Sequence, residues 1–317
     1  MNVNLFGEPI VEKNDLKSEF IISPFSILDT ASGDWLNRKN IWKSLGIKSE
    51  VGRSMDGEVI IMKADKSKTY KTRNRLDYWS KDEYLGDDNY VSIFDPVLCE
   101  IMYKWFIPKN GSILDPFAGG SVRRIVAHHL DYEYVGIDLC RGQIEENKIQ
   151  AQEIFGDGED MPLYHHPRWI YGDSNEKLGD INQEFDFIFS CPPYYDLEIY
   201  SDNPRDISSL SKVQFDIIYE QIIKQCCDKL KNNRFACFVV GNCRDQKTGY
   251  IKDLVGTTIR AFEKCGVMYY NEMILKNVSG SAPMRARTNM TYRKVIKTHQ
   301  NVLVFCKGDP KKVFDYE

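Results

Sequence analysis

Two short segments carry residue types that can do chemistry on an aromatic amine. In Cys191, Pro192, Pro193 and Tyr194 the successive prolines remove two amide donors and stiffen the chain, leaving carbonyl oxygens as acceptors beside a flat ring. A ring stacked on a base and a carbonyl holding its exocyclic NH2 together turn the nitrogen lone pair toward an electrophile. Taken alone, the string also reads as a loop-stiffening turn. Upstream, Asp115, Pro116, Phe117, Ala118, Gly119 and Gly120 lead into Ser121. Adjacent glycines there let backbone approach a ligand that a Cβ would exclude, and the N–H groups of a following helix receive a polar or anionic end. The spacing is not GxGxxG and no lysine follows the glycines, which argues against a dinucleotide pyrophosphate and a P-loop phosphate. Asp138 and Asp173 complete the set. Asp138 suits two ribose hydroxyls or a helix cap; Asp173 suits an adenine amino group or a cap. Together these positions describe a nucleoside with an anionic or zwitterionic tail.

All of them fall at the ends of predicted strands. Short apolar runs at Ser112–Asp115, Tyr134–Asp138, Trp169–Asp173, Phe185–Ser190, Phe235–Gly241, Tyr269–Lys276 and Asn301–Cys306 alternate with helical stretches at Val122–Leu130, Arg141–Phe155, Val213–Lys231 and Ile251–Cys265. This rhythm predicts an α/β fold: a seven-stranded, mostly parallel sheet flanked by helices, with ligands beyond the carboxyl ends of the strands. The last two strands are separated by Asn277–Gln300, where Gly280 and Pro283 predict a loop rather than a helix, so the final strand is expected to be antiparallel. Composition divides the chain into an N-terminal basic accessory or nucleic-acid-binding region, 1–90, and a catalytic domain, 91–317.

The order DPFAGGS, GID, GDS, CPPY resembles the S-adenosylmethionine-dependent amino methyltransferases that modify adenine N6 or cytosine N4 in nucleic acid, over roughly Val91 to Asp309. The resemblance implies a Rossmann-like methyltransferase fold and S-adenosyl-L-methionine as cofactor. It implies that Asp115 to Gly120 surround the methionine part, that Asp138 holds the ribose, that Asp173 lies near the cofactor adenine, and that Phe94, within Ser92–Pro96, closes over the methionine part. Cys191 to Tyr194 become the pocket for a flipped base, and site-specific DNA methylation in a restriction-modification setting is the activity implied. Two positions depart from the family. Ser121 stands where a second, spaced glycine is common, and Cys191 stands where the family has Asp, Asn or Ser. A thiol is a weak acceptor. A nucleophilic Cys191 attacking cytosine C6 is the alternative chemistry, but carbon-5 enzymes would call for a Pro-Cys order.

The 317-residue chain has 42 Lys and Arg against 46 Asp and Glu, a formal net charge of −4, so any polyanion site must be local. One candidate is Arg38–Lys81, with 12 basic and five acidic residues and with Trp42, Tyr70, Tyr78 and Trp79 interleaved; a solvated basic face is its plain reading. The other is Arg285, Arg287, Arg293, Lys294 and Lys297, with no acid among them in Asn277–Gln300. Double-stranded DNA is the expected partner and RNA the alternative polymer, with monomer and homodimer both left open. Nine cysteines, an odd number without CxxC spacing, predict reduced thiols, no metal and a cytoplasmic setting. Apolar runs are strand-sized and no basic-then-apolar leader opens the chain, so no membrane partner is expected. A protein-glutamine or small-molecule amino methyltransferase, and a noncatalytic nucleic-acid-binding subunit of the same fold, are the competing classes.

Overall fold

The computed structural model describes residues 20–47, 94–156, 168–197, 199–201, 203–245, 247–277 and 282–313, together with the backbone of two short strands at 51–53 and 59–61. In chain order the strands are β1 (Ile27–Asp29), β2 (Val51–Arg53), β3 (Val59–Ile61), β4 (Ser112–Asp115), β5 (Glu133–Asp138), β6 (Arg168–Tyr171), β7 (Phe185–Ser190), β8 (Leu230–Val240), β9 (Cys243–Arg244), β10 (Ile251–Lys252), β11 (Val267–Lys276) and β12 (His299–Lys307). The helices are α1 (Gly33–Ser44), α2 (Pro96–Phe106), α3 (Val122–His129), α4 (Arg141–Phe155), α5 (Ser174–Lys177), α6 (Lys212–Lys229), α7 (Leu254–Lys264) and α8 (Ala282–Thr291).

One sheet runs in the order β1-β11-β12-β8-β7-β4-β5-β6. Strands β4, β5, β6, β7 and β8 pair in parallel, and β12 is antiparallel to both β8 and β11. This is the expected Rossmann-like methyltransferase fold, antiparallel last strand included. Every residue of β7 is buried, four of its six being apolar, because the sheet is covered on both faces, and the one charged residue, Asp186, is met by Lys231 and Arg234. Strand order reverses between β4 and β7, which opens a crevice at their carboxyl ends. Because β12 runs against β8 and β11, its first residues and the carboxyl end of β11 lie at that same end.

The sheet has eight strands rather than seven. The eighth, β1, comes from within residues 1–90 and pairs in parallel with β11, Ile27 opposite Ile274; three residues are too few to show an alternation. Helix α1 follows, capped by Ser32, and packs on α2 through two buried indoles. The Nε1 of Trp35 donates to Asp95 (3.2 Å) and that of Trp42 to Glu100 (2.7 Å). Arg38 and Lys39 complete the same contacts, on Glu100 and Asp95. Lys39 and Trp42 are thus tied to α2, and Arg38, still partly exposed, pairs with the buried Glu100. Most of the basic stretch up to Lys81, the acidic group Asp82–Asp88, Ser92, Glu198, His165 and His166 lie outside the described residues.

The expected loop between the last two strands contains α8. Pro283 sits in its first turn, where a missing N–H costs nothing and the fixed φ favours the helix. All nine cysteines are thiols, none joined in a disulfide. Among the described residues no helix is long and apolar enough to cross a membrane.

Candidate active site

The glycine turn is held from below by a buried ion pair. The carboxylate of Asp115, the last residue of β4, is wholly buried and accepts from Arg123 Nε (2.5 Å), the Tyr134 hydroxyl (2.6 Å), the Ser190 hydroxyl (2.5 Å) and the Phe117 N–H (3.1 Å). The Arg123 guanidinium in turn donates to the carbonyls of Phe117 (2.6 Å) and Ala118 (2.8 Å). Burial works against its charge, but the adjoining Asp115 carboxylate prevails and holds Arg123 above the ordinary guanidinium value. The ring of Phe94 lies over that guanidinium, 4.6 Å from its carbon, and packs edge-on against Phe189. Asp115 thus shapes the turn from beneath, while Phe94, Pro116, Phe117, Gly119 and Gly120 line a cavity above it. Ala118 is buried, its N–H donating to the Ile137 carbonyl.

Gly119 adopts φ +54°, a left-handed conformation that a Cβ disfavours. Its N–H donates to Asp138 Oδ2 (2.8 Å), and Asp138 Oδ1 accepts from the Cys140 N–H (2.7 Å). Asp138 therefore joins the end of β5 to the glycine turn and also lines the cavity, 6% exposed. From α4, Asn147 donates to the Gly119 carbonyl (2.8 Å) and accepts from Gln143 (3.0 Å), and Gln150 accepts from Ser121. Three buried polar side chains at i, i+4 and i+7 on one helix face were a visible signal in the sequence, though not one tied to the site. Asp173 caps α5 through the Asn175 N–H (2.9 Å) and lines the cavity as well, so its two sequence readings coexist geometrically.

The double-proline turn reaches the same cavity. Cys191 and Pro193 line it, with Tyr200, Leu275 and Gln300 also on its wall; Pro192 is buried and Tyr194 half-buried, and neither is among the lining residues. The Tyr194 hydroxyl donates to the Val239 carbonyl (3.3 Å), accepts from Gln300 Nε2 (2.9 Å) and lies 3.7 Å from Cys191 Sγ. Burial, then the neighbouring thiol, keeps that phenol well above its usual value, and therefore neutral. Tyr195, buried and at φ +56°, points away, its hydroxyl donating to Asp216 (2.9 Å), and Asp196 is paired with Lys252 (2.6 Å).

The basic residues between β11 and β12 divide. Arg287 and Arg293 are exposed and Arg285 half-buried on or just after α8, among exposed Met284, Met290, Tyr292 and Val295. Lys294 approaches the β9–β10 hairpin at Gly249 and lies 5.7 Å from the Tyr292 ring centroid. Lys297 stands apart. Its amine donates to Asn301 (3.1 Å) and lies with the Tyr194 ring edge beside Gly241, and burial lowers its pKa to about 8 against the opposing pull of Cys243 and Glu272.

No family model matches the chain, and no curated protein matches it either. Among solved structures it is similar to TrmN from Thermus thermophilus, at 14% identity and TM-score 0.42 over 68% of this chain; it spans only 49% of the length of TrmN. It is also similar to magnesium protoporphyrin IX methyltransferase (ChlM) from Synechocystis PCC 6803 with bound SAH, at 8% identity and TM-score 0.42 over 68% of this chain and 81% of that one. An rRNA methylase from Streptococcus thermophilus gives 8% identity and TM-score 0.42 over 69% of this chain and all (100%) of that one. Such likenesses concern the fold and say nothing of a substrate.

Proposed function

We propose that the chain is an S-adenosylmethionine-dependent DNA methyltransferase that methylates the exocyclic amine of a flipped base, adenine N6 or cytosine N4. One observation carries the reading: the glycine turn with Asp138 and the double-proline turn open onto a single cavity at the reversal of strand order. Had they faced different surfaces, no direct transfer would connect them.

The residues fit the cofactor. A buried carboxylate in the cavity wall at the end of β5 suits a ribose diol, Asp173 between β6 and α5 suits an adenine amino group, and a turn without side chains at Gly119 and Gly120 admits an amino-acid tail. When bound, S-adenosylmethionine supplies a methyl made electrophilic by its sulfonium. The protein's part is placement. In this reading Tyr194 supplies the stacking ring and Pro192 the accepting carbonyl, both adjoining the lining residues Cys191 and Pro193 in sequence without lining the cavity themselves, and Cys191 is a small side chain at the pocket wall. The base must leave its stack, at an unpairing cost that these interactions offset. Attack makes the nitrogen cationic and strongly acidic, so its excess proton passes to water as the cavity reopens and no strong base is required of the chain. Cys191 works as a packing and weak hydrogen-bonding element rather than as a nucleophile.

Exposed arginines and apolar side chains around α8, at the same end of the sheet as the cavity, support a polymer substrate: cations meet phosphates while Tyr292 offers a stacking face. Incubation with labelled S-adenosylmethionine and DNA, RNA or protein, followed by nucleoside mass spectrometry, tests the proposal. N6-methyladenine or N4-methylcytosine in DNA is the expected product; label in RNA or protein alone would overturn the DNA assignment.

A further inference from the structure

Gln300 reaches the crevice from the start of the antiparallel strand β12, and its orientation is dictated by its neighbours. The Val239 carbonyl can only accept, so the Tyr194 hydroxyl spends its proton there (3.3 Å). The phenol oxygen must then accept from Gln300, which turns the NH2 of that amide toward Tyr194 (2.9 Å) and its carbonyl oxygen Oε1 the other way. Gln300 lines the cavity together with Cys191 and Pro193, and Cys191 Sγ and Gln300 Nε2 converge on the same hydroxyl. An amine held for in-line attack offers two hydrogens. In the proposed function the Pro192 carbonyl takes one; Cys191, where the resembled family carries a stronger acceptor or a hydroxyl, is poorly suited to the second.

Resting on the amino methyltransferase reading, we infer that Gln300 is a substrate-binding residue whose side-chain carbonyl accepts the second hydrogen of the target amine and so compensates for cysteine at position 191. Its fixed orientation has a consequence for selectivity: an acceptor aimed at an NH2 disfavours thymine and guanine O6, which present a carbonyl there.

The experiment compares kcat on plasmid DNA, S-adenosylhomocysteine affinity by calorimetry and DNA affinity by anisotropy. Gln300→Leu is expected to lower kcat by about 10- to 100-fold, the effect of one unsatisfied polar group at the reacting centre, with both affinities near wild type. Tyr194→Phe, which removes only the hydroxyl partner, is expected to lose less. Adding Cys191→Asp or Cys191→Asn to Gln300→Leu is expected to recover about tenfold or more, since either restores an acceptor at the pocket wall. Wild-type kcat in Gln300→Leu overturns the inference. So does an equal, non-additive loss in Tyr194→Phe and Gln300→Leu, which would make Gln300 a support for Tyr194 alone. A wild-type protein that binds S-adenosylhomocysteine yet methylates no base fails the underlying reading instead, and does so before any variant is made.

Discussion

Asp115 and Lys297 show how far burial changes what a side chain can do. By resemblance Asp115 belongs to the methionine pocket, but its carboxylate is occupied under the turn by Arg123, Tyr134 and Ser190. Asp115→Ala strands the Arg123 charge inside the protein and is expected to cost roughly 3–5 kcal/mol, read as a fall in the urea midpoint at unchanged slope. Asp138→Ala, whose carboxylate borders the cavity, is expected instead to weaken S-adenosylhomocysteine binding by more than it lowers stability. Lys297 gives a pH prediction. Its folded pKa of about 8 lies below the ordinary 10.5, so between those values the unfolded chain holds more protons and stability rises with pH. Below about pH 8 the buried charge is a standing cost. Lys297→Met should therefore melt higher than wild type at pH 7, with the difference closing as pH rises toward 10.5; a gap independent of pH would refute the assignment. The positions of Asp138 and the Cys191 turn, at strand ends on one cavity, were legible in the sequence because strand punctuation is local. Arg123 and Gln300 were not, since Gln300 meets Tyr194 from over a hundred positions away and Arg123 acts by closing a network; Lys297 stood out only as one of five cations, and its burial beside Tyr194 is a tertiary fact.

At the scale of elements, the glycine turn separates two residues that look alike in sequence. Gly119 needs φ +54°, whereas Gly120 has no such requirement and open space where a Cβ would stand. Gly119→Ala is expected to cost about 1–2 kcal/mol and to loosen the turn's bond to Asp138; Gly120→Ala should melt within a degree or so of wild type. Calorimetric melting of both variants checks the contrast. Strands β4 and β7 and helix α4 matched their expected boundaries because both apolar pattern and punctuation mark them. Helix α8 was missed because Pro283 reads as a breaker when its position in the first turn is unknown, and α1 because its two buried indoles sit in a sequence dominated by polar residues. Strand β1 exists only by pairing with β11, so nothing within it announces a strand.

For the molecule as a whole, the question is how a chain of net charge −4 would hold the polyanion proposed as its substrate. The topology answers by sorting charge. Antiparallel β12 brings the segment between β11 and β12, with Arg285, Arg287 and Arg293, to the end of the sheet where the cavity opens, while much of the acidic content is spent elsewhere in pairs such as Lys212–Asp216, Lys224–Asp228 and Lys264–Glu220 on α6 and α7. Binding through a local patch releases counterions only from the phosphates it touches, so affinity should fall steeply with salt despite the negative total. Replacing Arg285, Arg287 and Arg293 by Gln, singly and together, is expected to flatten the plot of log affinity against log salt by about 0.9 for each phosphate that is no longer neutralised, and to weaken binding evenly across DNA sequences. Neutralising Lys224 and Lys264, on the exposed faces of α6 and α7, should leave the slope as it is. A slope unmoved by the three arginines, or carried equally by the two lysines, would place the polymer on another face and separate it from the cavity that contains Cys191 and Gln300.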